Sequence, residues 1–255
     1  MAEQSDSFGG ERRFKLTLHY DGAGFFGWQV QPGVRTVQAE LEAALSRLRN
    51  SPTTVIAAGR TDRGVHATGQ VVSATMPAKW SAADLHRALN AILPEDIWIS
   101  AVDDAATDFH ARYDATSRSY TYRVGTAPAS ASPFARRHCW PLGVPLPLDK
   151  LNDAARRFLG RHSFRAFAKA GQPERGEVCT VTAAEWRETP GGVEFHVTAD
   201  RFLHHMVRYM VGTMIDIARG RRPASDIDEL LSGSTALDTS PPAPPEGLFL
   251  SHVSY

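Results

Sequence analysis

AAGRTDRGVHATGQVVSAT, residues 57 to 75, runs from a polar loop directly into a strand-like stretch. The closing VVSAT (71–75) is small and β-branched, as a strand requires. In the opening part, Gly59 and Gly64 permit a tight loop with close backbone approach around Arg60, Asp62 and Arg63, and His66 follows two residues later. A neighbouring guanidinium keeps a carboxylate ionised, so Asp62 is available as a nucleophile or base rather than as a neutral acid. An Asp between glycines also serves as a turn residue that bonds its own backbone. The loop alone leaves both readings open.

Working outward, the alternation of Phe14, Leu16, Leu18 and Tyr20 in RFKLTLHY (13–20) predicts a half-buried strand before this one. Thr36 is placed as an N-cap, followed at helical spacing by Val37, Leu41, Ala44, Leu45 and Leu48. Ser81 and Asp84 form a capping-box pattern ahead of Leu85, Ala88, Leu89 and Ile92, and IWISAV (97–102) reads as a third strand. The second half repeats this alphabet. SRSYTYRVG (117–125) is a strand, 149–159 an amphipathic helix, and 179–188 with 192–199 a hairpin about Pro190, Gly191 and Gly192. A longer helix is expected from about Leu203 to Arg219, ending at Gly220, then a short one capped by Ser225 and Asp228. After the proline-rich connector 239–247, LFLSHVSY closes the chain as a strand. The pattern predicts an α+β fold: two similar αβ halves with mixed, mostly antiparallel sheets flanked by helices, and a cleft between the halves. The expected division is a disordered tail over 1–11 and subdomains over 12–107 and 108–255.

At 255 residues, with 42% hydrophobic and 22% charged, the chain reads as globular. Cys139 and Cys179 are too few for a disulfide framework and fit no zinc spacing, so they are expected as free thiols in a reducing cytoplasm. No apolar run reaches membrane-spanning length, and MAEQSDSFGGERR lacks a signal-peptide core. The net charge is zero but segregated. Residues 110–222 carry 18 Lys and Arg against 10 Asp and Glu, and the remainder carries 10 against 18. Such segregation lets one face attract phosphate on a neutral molecule.

GRTDRGVHATGQV resembles the signature of the tRNA pseudouridine synthase family that acts on the anticodon arm. The likeness continues through YDGAGFFGWQVQ (20–31), TVQAELEAAL, DFHARYDATSRSYTYRV (108–124), FLHHMVRYMVG (202–212) and APPEGLFL (243–250), in the family's order. The resemblance implies a cofactor-free, cytoplasmic homodimer that isomerises uridine to pseudouridine at tRNA positions 38 to 40, with no metal and no membrane. It assigns Asp62 as nucleophile and Arg60 as the residue entering the place of a flipped base. It further assigns Tyr120 to packing on the uracil near C5 and Arg208 to pairing with the carboxylate. His66 and Gln70 match structural or orienting positions. Phe109, His110, Arg112 and Tyr113 match an RNA-contacting segment, and Lys169 and Arg175 are added as basic contacts in a loop that varies in the family. The alternative is a non-catalytic structured-RNA-binding protein using the same cleft.

Pattern alone places Tyr120 in the core and Arg208 on a solvated helix face, off the buried stripe of Met206, Met210 and Met214. Phe25, Phe26 and Trp28 are expected in the core. His204 and His205, with His196 nearby, suggest metal ligands. Adjacent positions on a helix point about 100° apart, however, and make a poor ligand pair.

Overall fold

In the computed structural model, residues 10–169, 176–233 and 236–255 are described. In chain order the elements are β1 (Glu11–Tyr20), α1 (Val37–Arg49), β2 (Ile56–Ala57), β3 (His66–Pro77), α2 (Ala82–Ile92) and β4 (Ile97–Ala105). After them come β5 (Ser117–Gly125), β6 (Trp140–Pro141), α3 (Leu148–Arg156), β7 (Gly160–Ser163), β8 (Val178–Thr189) and β9 (Gly192–Ala199). The chain closes with α4 (Met206–Ala218), α5 (Ser225–Leu231) and β10 (Leu248–Ser254).

Local chemistry accounts for most boundaries. The Thr36 side chain accepts from the Ala39 N–H at 3.4 Å and starts α1, and Ser81 Oγ accepts from the Asp84 N–H at 3.1 Å and starts α2. Each such cap stabilises its helix by about 1 kcal/mol. Phe14, Leu16, Leu18 and Tyr20 are all buried, as a strand with one face on the core demands. Met206, Met210 and Met214 are buried together, and the Met214 sulfur accepts from Trp186 Nε1.

The strands form one sheet in the order β4-β1-β3-β10-β5-β9-β8-β7, with β2 added to β3 and β6 to β5. Apart from β10 with β3 and β5 with β6, the pairs are antiparallel. This is the α+β architecture. The last strand is internal: β10 pairs Leu250 with Ala67 of β3 on one side and with Tyr120 of β5 on the other. It thereby sets the loop preceding β3 about two strand spacings, roughly 10 Å, from β5. No helix among the described residues is long and apolar enough to cross a membrane.

Three local expectations need correction. Ser225 is the first residue of α5 rather than its cap; Ala224 precedes it, and no side chain caps this start. α4 begins at Met206, three residues later than its periodicity suggests, because His205 takes a left-handed backbone (φ 66°) that a helix interior excludes. Glu11 belongs to β1; residues 1–9 of the expected tail lie outside the described residues.

Candidate active site

The loop 58–65 is held from several sides. Its neighbour is the segment after β1, where two glycines allow backbone to meet backbone. A Cβ on Gly22 would lie 2.0 Å from the Val65 carbonyl oxygen, and one on Gly27 (φ +91°) 2.7 Å from that of Thr61. The Trp28 N–H donates to the Thr61 carbonyl at 3.0 Å, and Tyr20 Oη shares a 2.8 Å hydrogen bond with Thr61 Oγ1. Gln70 Nε2 donates to the Gly59 carbonyl at 2.7 Å, and His66 Nδ1 accepts from the Gly22 N–H at 3.0 Å. Phe25 and Trp28 are buried as expected. Phe26 is not: it is exposed, with the Arg63 guanidinium 4.2 Å above its ring.

Asp62 projects from this loop toward the start of α4. Arg208 Nη1 lies 3.5 Å from Oδ2, so Arg208 is a recessed helix residue, 13% exposed, and not a solvated one. It is this guanidinium, 146 positions away in sequence, that stands against Asp62, whereas adjacent Arg63 turns to Phe26. The two histidines dismissed on helical geometry stand here too. His205 Nε2 is 3.3 Å from Oδ2 and His204 Nε2 is 3.1 Å from Oδ1. They converge because neither is in the helix: they occupy the turn before it, and the left-handed His205 swings the two rings to 4.2 Å separation. Burial pushes the His205 imidazole below the usual histidine range. Asp62 opposes this, and Arg208, His204 and Lys169 reinforce it.

Tyr120 is buried on β5, edge-to-face with Phe202 at 4.9 Å, and its hydroxyl would stand 3.8 Å from a Cβ on Gly59. Burial raises its pKa, and the proximity of Tyr20 and Asp62 raises it further. Tyr122, on the same face, is fully buried and donates to the Pro244 carbonyl at 2.7 Å. Arg60 is exposed and makes no ion pair among the described residues. In the 109–113 segment, the His110 ring stacks on Tyr113 at 4.2 Å, and the Arg112 guanidinium lies 5.4 Å from the exposed Tyr113 ring. Phe109 turns inward against Tyr255 instead. Lys169 is tied to the site through its N–H, which donates to the His204 carbonyl at 3.0 Å. Arg175 lies outside the described residues.

Arg118 was not singled out by the sequence. Its buried guanidinium donates to the carbonyls of Ala58 (3.0 Å), Ala115 (3.0 Å), Asp200 (3.0 Å) and Arg112 (2.6 Å). One side chain thus ties together the loop before Asp62, the 112–115 segment and the chain entering His204. A basic residue on the inward side of a strand was the available signal.

Asp62, His204 and His205 also have the spacing of a two-histidine, one-carboxylate cation site. Arg208, however, already brings positive charge to the same carboxylate oxygen, and a second cation there would be repelled. A similar group forms at Asp21, His66 and His138, but the lone pair of His66 Nδ1 is taken by the Gly22 N–H and Arg137 stands 3.1 Å from Asp21. A cavity of about 450 Å³ lined by Gly125, Ser130 and Cys139 lies away from Asp62 and takes no part in this site.

On this α+β fold, a recessed carboxylate flanked by a guanidinium and two imidazoles, beside a buried tyrosine, is a setting that suits an enzyme reacting through a carboxylate. The sequence profile of the tRNA pseudouridine synthase family matches residues 17–114 and 154–255. The tRNA pseudouridine synthase A of Geobacillus kaustophilus is 40% identical over 245 residues, 96% of this chain and 95% of that protein. That of Moorella thermoacetica is 42% identical over 243 residues, covering 94% and 98%, and that of Myxococcus xanthus 38% over 244, covering 95% and 92%. The chain belongs to the tRNA pseudouridine synthase family, and it is an isomerase acting on uridine in tRNA.

Proposed function

We propose that the chain converts uridine to pseudouridine at positions 38 to 40 of the tRNA anticodon arm, as a cytoplasmic homodimer, with Asp62 as the reacting group. The observation that carries this reading is the setting of Asp62: recessed, flanked by Arg208 and facing the start of α4, with Tyr120 close by in the core. Isomerisation breaks the N1–C1′ bond, turns the uracil and forms a C5–C1′ bond, while a proton leaves C5 and one returns to N1. The carboxylate either attacks C1′ or removes the C2′ proton to leave a glycal. Both routes pass through positive charge on the sugar, which a carboxylate stabilises.

The target base leaves its stack to reach Asp62, and exposed Arg60 fills the vacated place, since a guanidinium both stacks and bonds in its plane. Tyr120 packs on the flipped uracil. His110, Arg112 and Tyr113 offer stacked rings and positive charge to unpaired nucleotides, and Lys169 and Arg175 offer phosphate contacts; Phe109 supports that segment from the core side. The test is to incubate purified chain with unmodified tRNA and map pseudouridine by carbodiimide treatment and primer extension. Conversion confined to positions 38 to 40, at constant mass and abolished in Asp62→Asn, is the expected result. No conversion, or full activity of Asp62→Asn with tRNA binding retained, overturns the reading.

A further inference from the structure

The two oxygens of Asp62 have different surroundings. Oδ2 faces Arg208 at 3.5 Å and His205 at 3.3 Å, side chains that are 13% and 19% exposed. Oδ1 faces His204 at 3.1 Å, a side chain 56% exposed. Of the groups at Oδ2, Arg208 is anchored through its side chain, whose Nε donates to the Ala243 carbonyl at 2.7 Å, and His205 is recessed. His205 is also one of two non-glycine residues with positive φ among those described, the other being Asn50, which ends α1. Glycine would occupy that backbone without strain, so a histidine there points to work for its side chain.

We infer that His205 is a positioning residue, which with Arg208 fixes Oδ2 so that Oδ1 is the oxygen presented to the ribose, and that His204 covers Oδ1 and is displaced by the incoming nucleotide. This rests on Asp62 being the reacting carboxylate. The reacting oxygen needs a lone pair free to bond C1′ as the N1–C1′ electrons leave with uracil, or to take the C2′ proton. An oxygen flanked by a recessed guanidinium and a recessed imidazole stays covered, whereas an oxygen under one exposed side chain is readily uncovered. Burial keeps His205 neutral at neutral pH, so its effect on Oδ2 is one of orientation and local dipole rather than of added charge.

The experiment compares three variants by thermal melting, tRNA binding and single-turnover rate. His205→Gly suits the left-handed backbone and removes the imidazole. Its melting temperature and tRNA affinity should stay near wild type while the rate falls on the order of 100-fold, the usual consequence of a misplaced reacting group. His205→Asn tolerates the same backbone and restores an N–H donor, so it should recover part of that loss. His204→Ala should raise the rate at subsaturating tRNA by about two- to threefold, since it removes a weak exposed contact that must otherwise break. A wild-type rate in His205→Gly, or an equal loss in His204→Ala and His205→Gly, overturns the inference. Asp62→Asn in the same assay separates the two ideas: if it is inactive while His205→Gly is normal, the assignment of the two oxygens fails and the nucleophile stands.

Discussion

Arg208 and Ala243 exchange two hydrogen bonds: Arg208 Nε donates to the Ala243 carbonyl at 2.7 Å, and the Ala243 N–H donates to the Arg208 carbonyl at 2.9 Å. The helix residue that faces Asp62 is therefore anchored to the proline-rich segment leading into β10. Arg208→Lys keeps the charge but loses the planar fork that serves Ala243 and Asp62 together. The single-turnover rate should fall by about 10- to 100-fold with tRNA affinity little changed. A wild-type rate from the lysine variant would show that charge alone suffices.

Tyr120 yields a pH prediction. Burial, aided by nearby Tyr20 and Asp62, raises its pKa, so the phenol keeps its proton to higher pH than a free tyrosine. In the proposed reaction it would serve as an apolar face and a neutral hydroxyl, not as a phenolate base. Between about pH 7 and 10, the range below an ordinary tyrosine pKa, the rate profile should carry no limb due to Tyr120. Tyr120→Phe should therefore have the same alkaline profile as wild type, at a lower plateau if the hydroxyl assists proton transfer at C5. An alkaline change present in wild type and lost in Tyr120→Phe would contradict this.

Gly22 is a packing prediction. A Cβ placed 2.0 Å from the Val65 carbonyl oxygen must push the backbone of the Asp62 loop. Gly22→Ala should cost about 1–3 kcal/mol in denaturant unfolding and reduce turnover more than tRNA binding. Gly191→Ala, in the β8–β9 turn with nothing within 4 Å of a Cβ, is the control and should leave both near wild type. If the two variants behave alike, the loop is not held by this contact.

His66 predicts how stability varies with acid. Burial lowers its pKa, partly opposed by Asp21, and its Nδ1 accepts a backbone N–H, so the folded protein holds it neutral. Below the unfolded value of about 6.5 the unfolded chain binds the extra proton, and stability is lost as pH falls through that value toward the folded pKa. The limiting slope from this residue is about 1.4 kcal/mol per pH unit. Urea unfolding at several pH values from 7.5 to 5 should show this loss, and His66→Gln should reduce it. His19 and His205, shifted downward chiefly by burial, retain part of the slope. An unaltered slope in His66→Gln would mean that His66 is protonated in the fold.

Arg60 and Lys169 should separate in a salt series. If Lys169 meets phosphate, Lys169→Ala lowers the slope of log affinity against log salt by about 0.7–0.9. Arg60→Ala should leave that slope nearly intact and lose single-turnover rate instead. The reverse pattern would remove Arg60 from base flipping. Not every basic residue of the 110–222 segment is open to phosphate, since Arg123, Arg187, Arg221 and Arg222 pair with Glu194, Glu185, Asp216 and Asp226.

What was legible in the sequence was local. Thr36 and Ser81 announced their helices because a cap needs only residues within one turn, and the alternation from Phe14 to Tyr20 fixed a strand face for the same reason. The association of Asp62 with Arg208 came from family resemblance, since no periodicity links positions 146 apart. The approach of His204 and His205 to Asp62 was misread because periodicity carried α4 back through them, and no glycine marked the left-handed residue that ends the turn. Arg118 offered only a basic residue on the inward side of a strand as its sign, because its carbonyl partners at 58, 112, 115 and 200 meet only once the strands have assembled.

The position of β10 has a consequence for biosynthesis. Its seven residues are synthesised after Asp62, Tyr120 and Arg208, yet they lie between β3 and β5 and adjoin the segment that anchors Arg208. A nascent chain that already carries Asp62, Tyr120 and Arg208 still lacks the strand that joins their supports. Competence for RNA modification would then await the emergence of β10, and a chain released before that point would leave two strand edges, β3 and β5, exposed to the quality-control machinery.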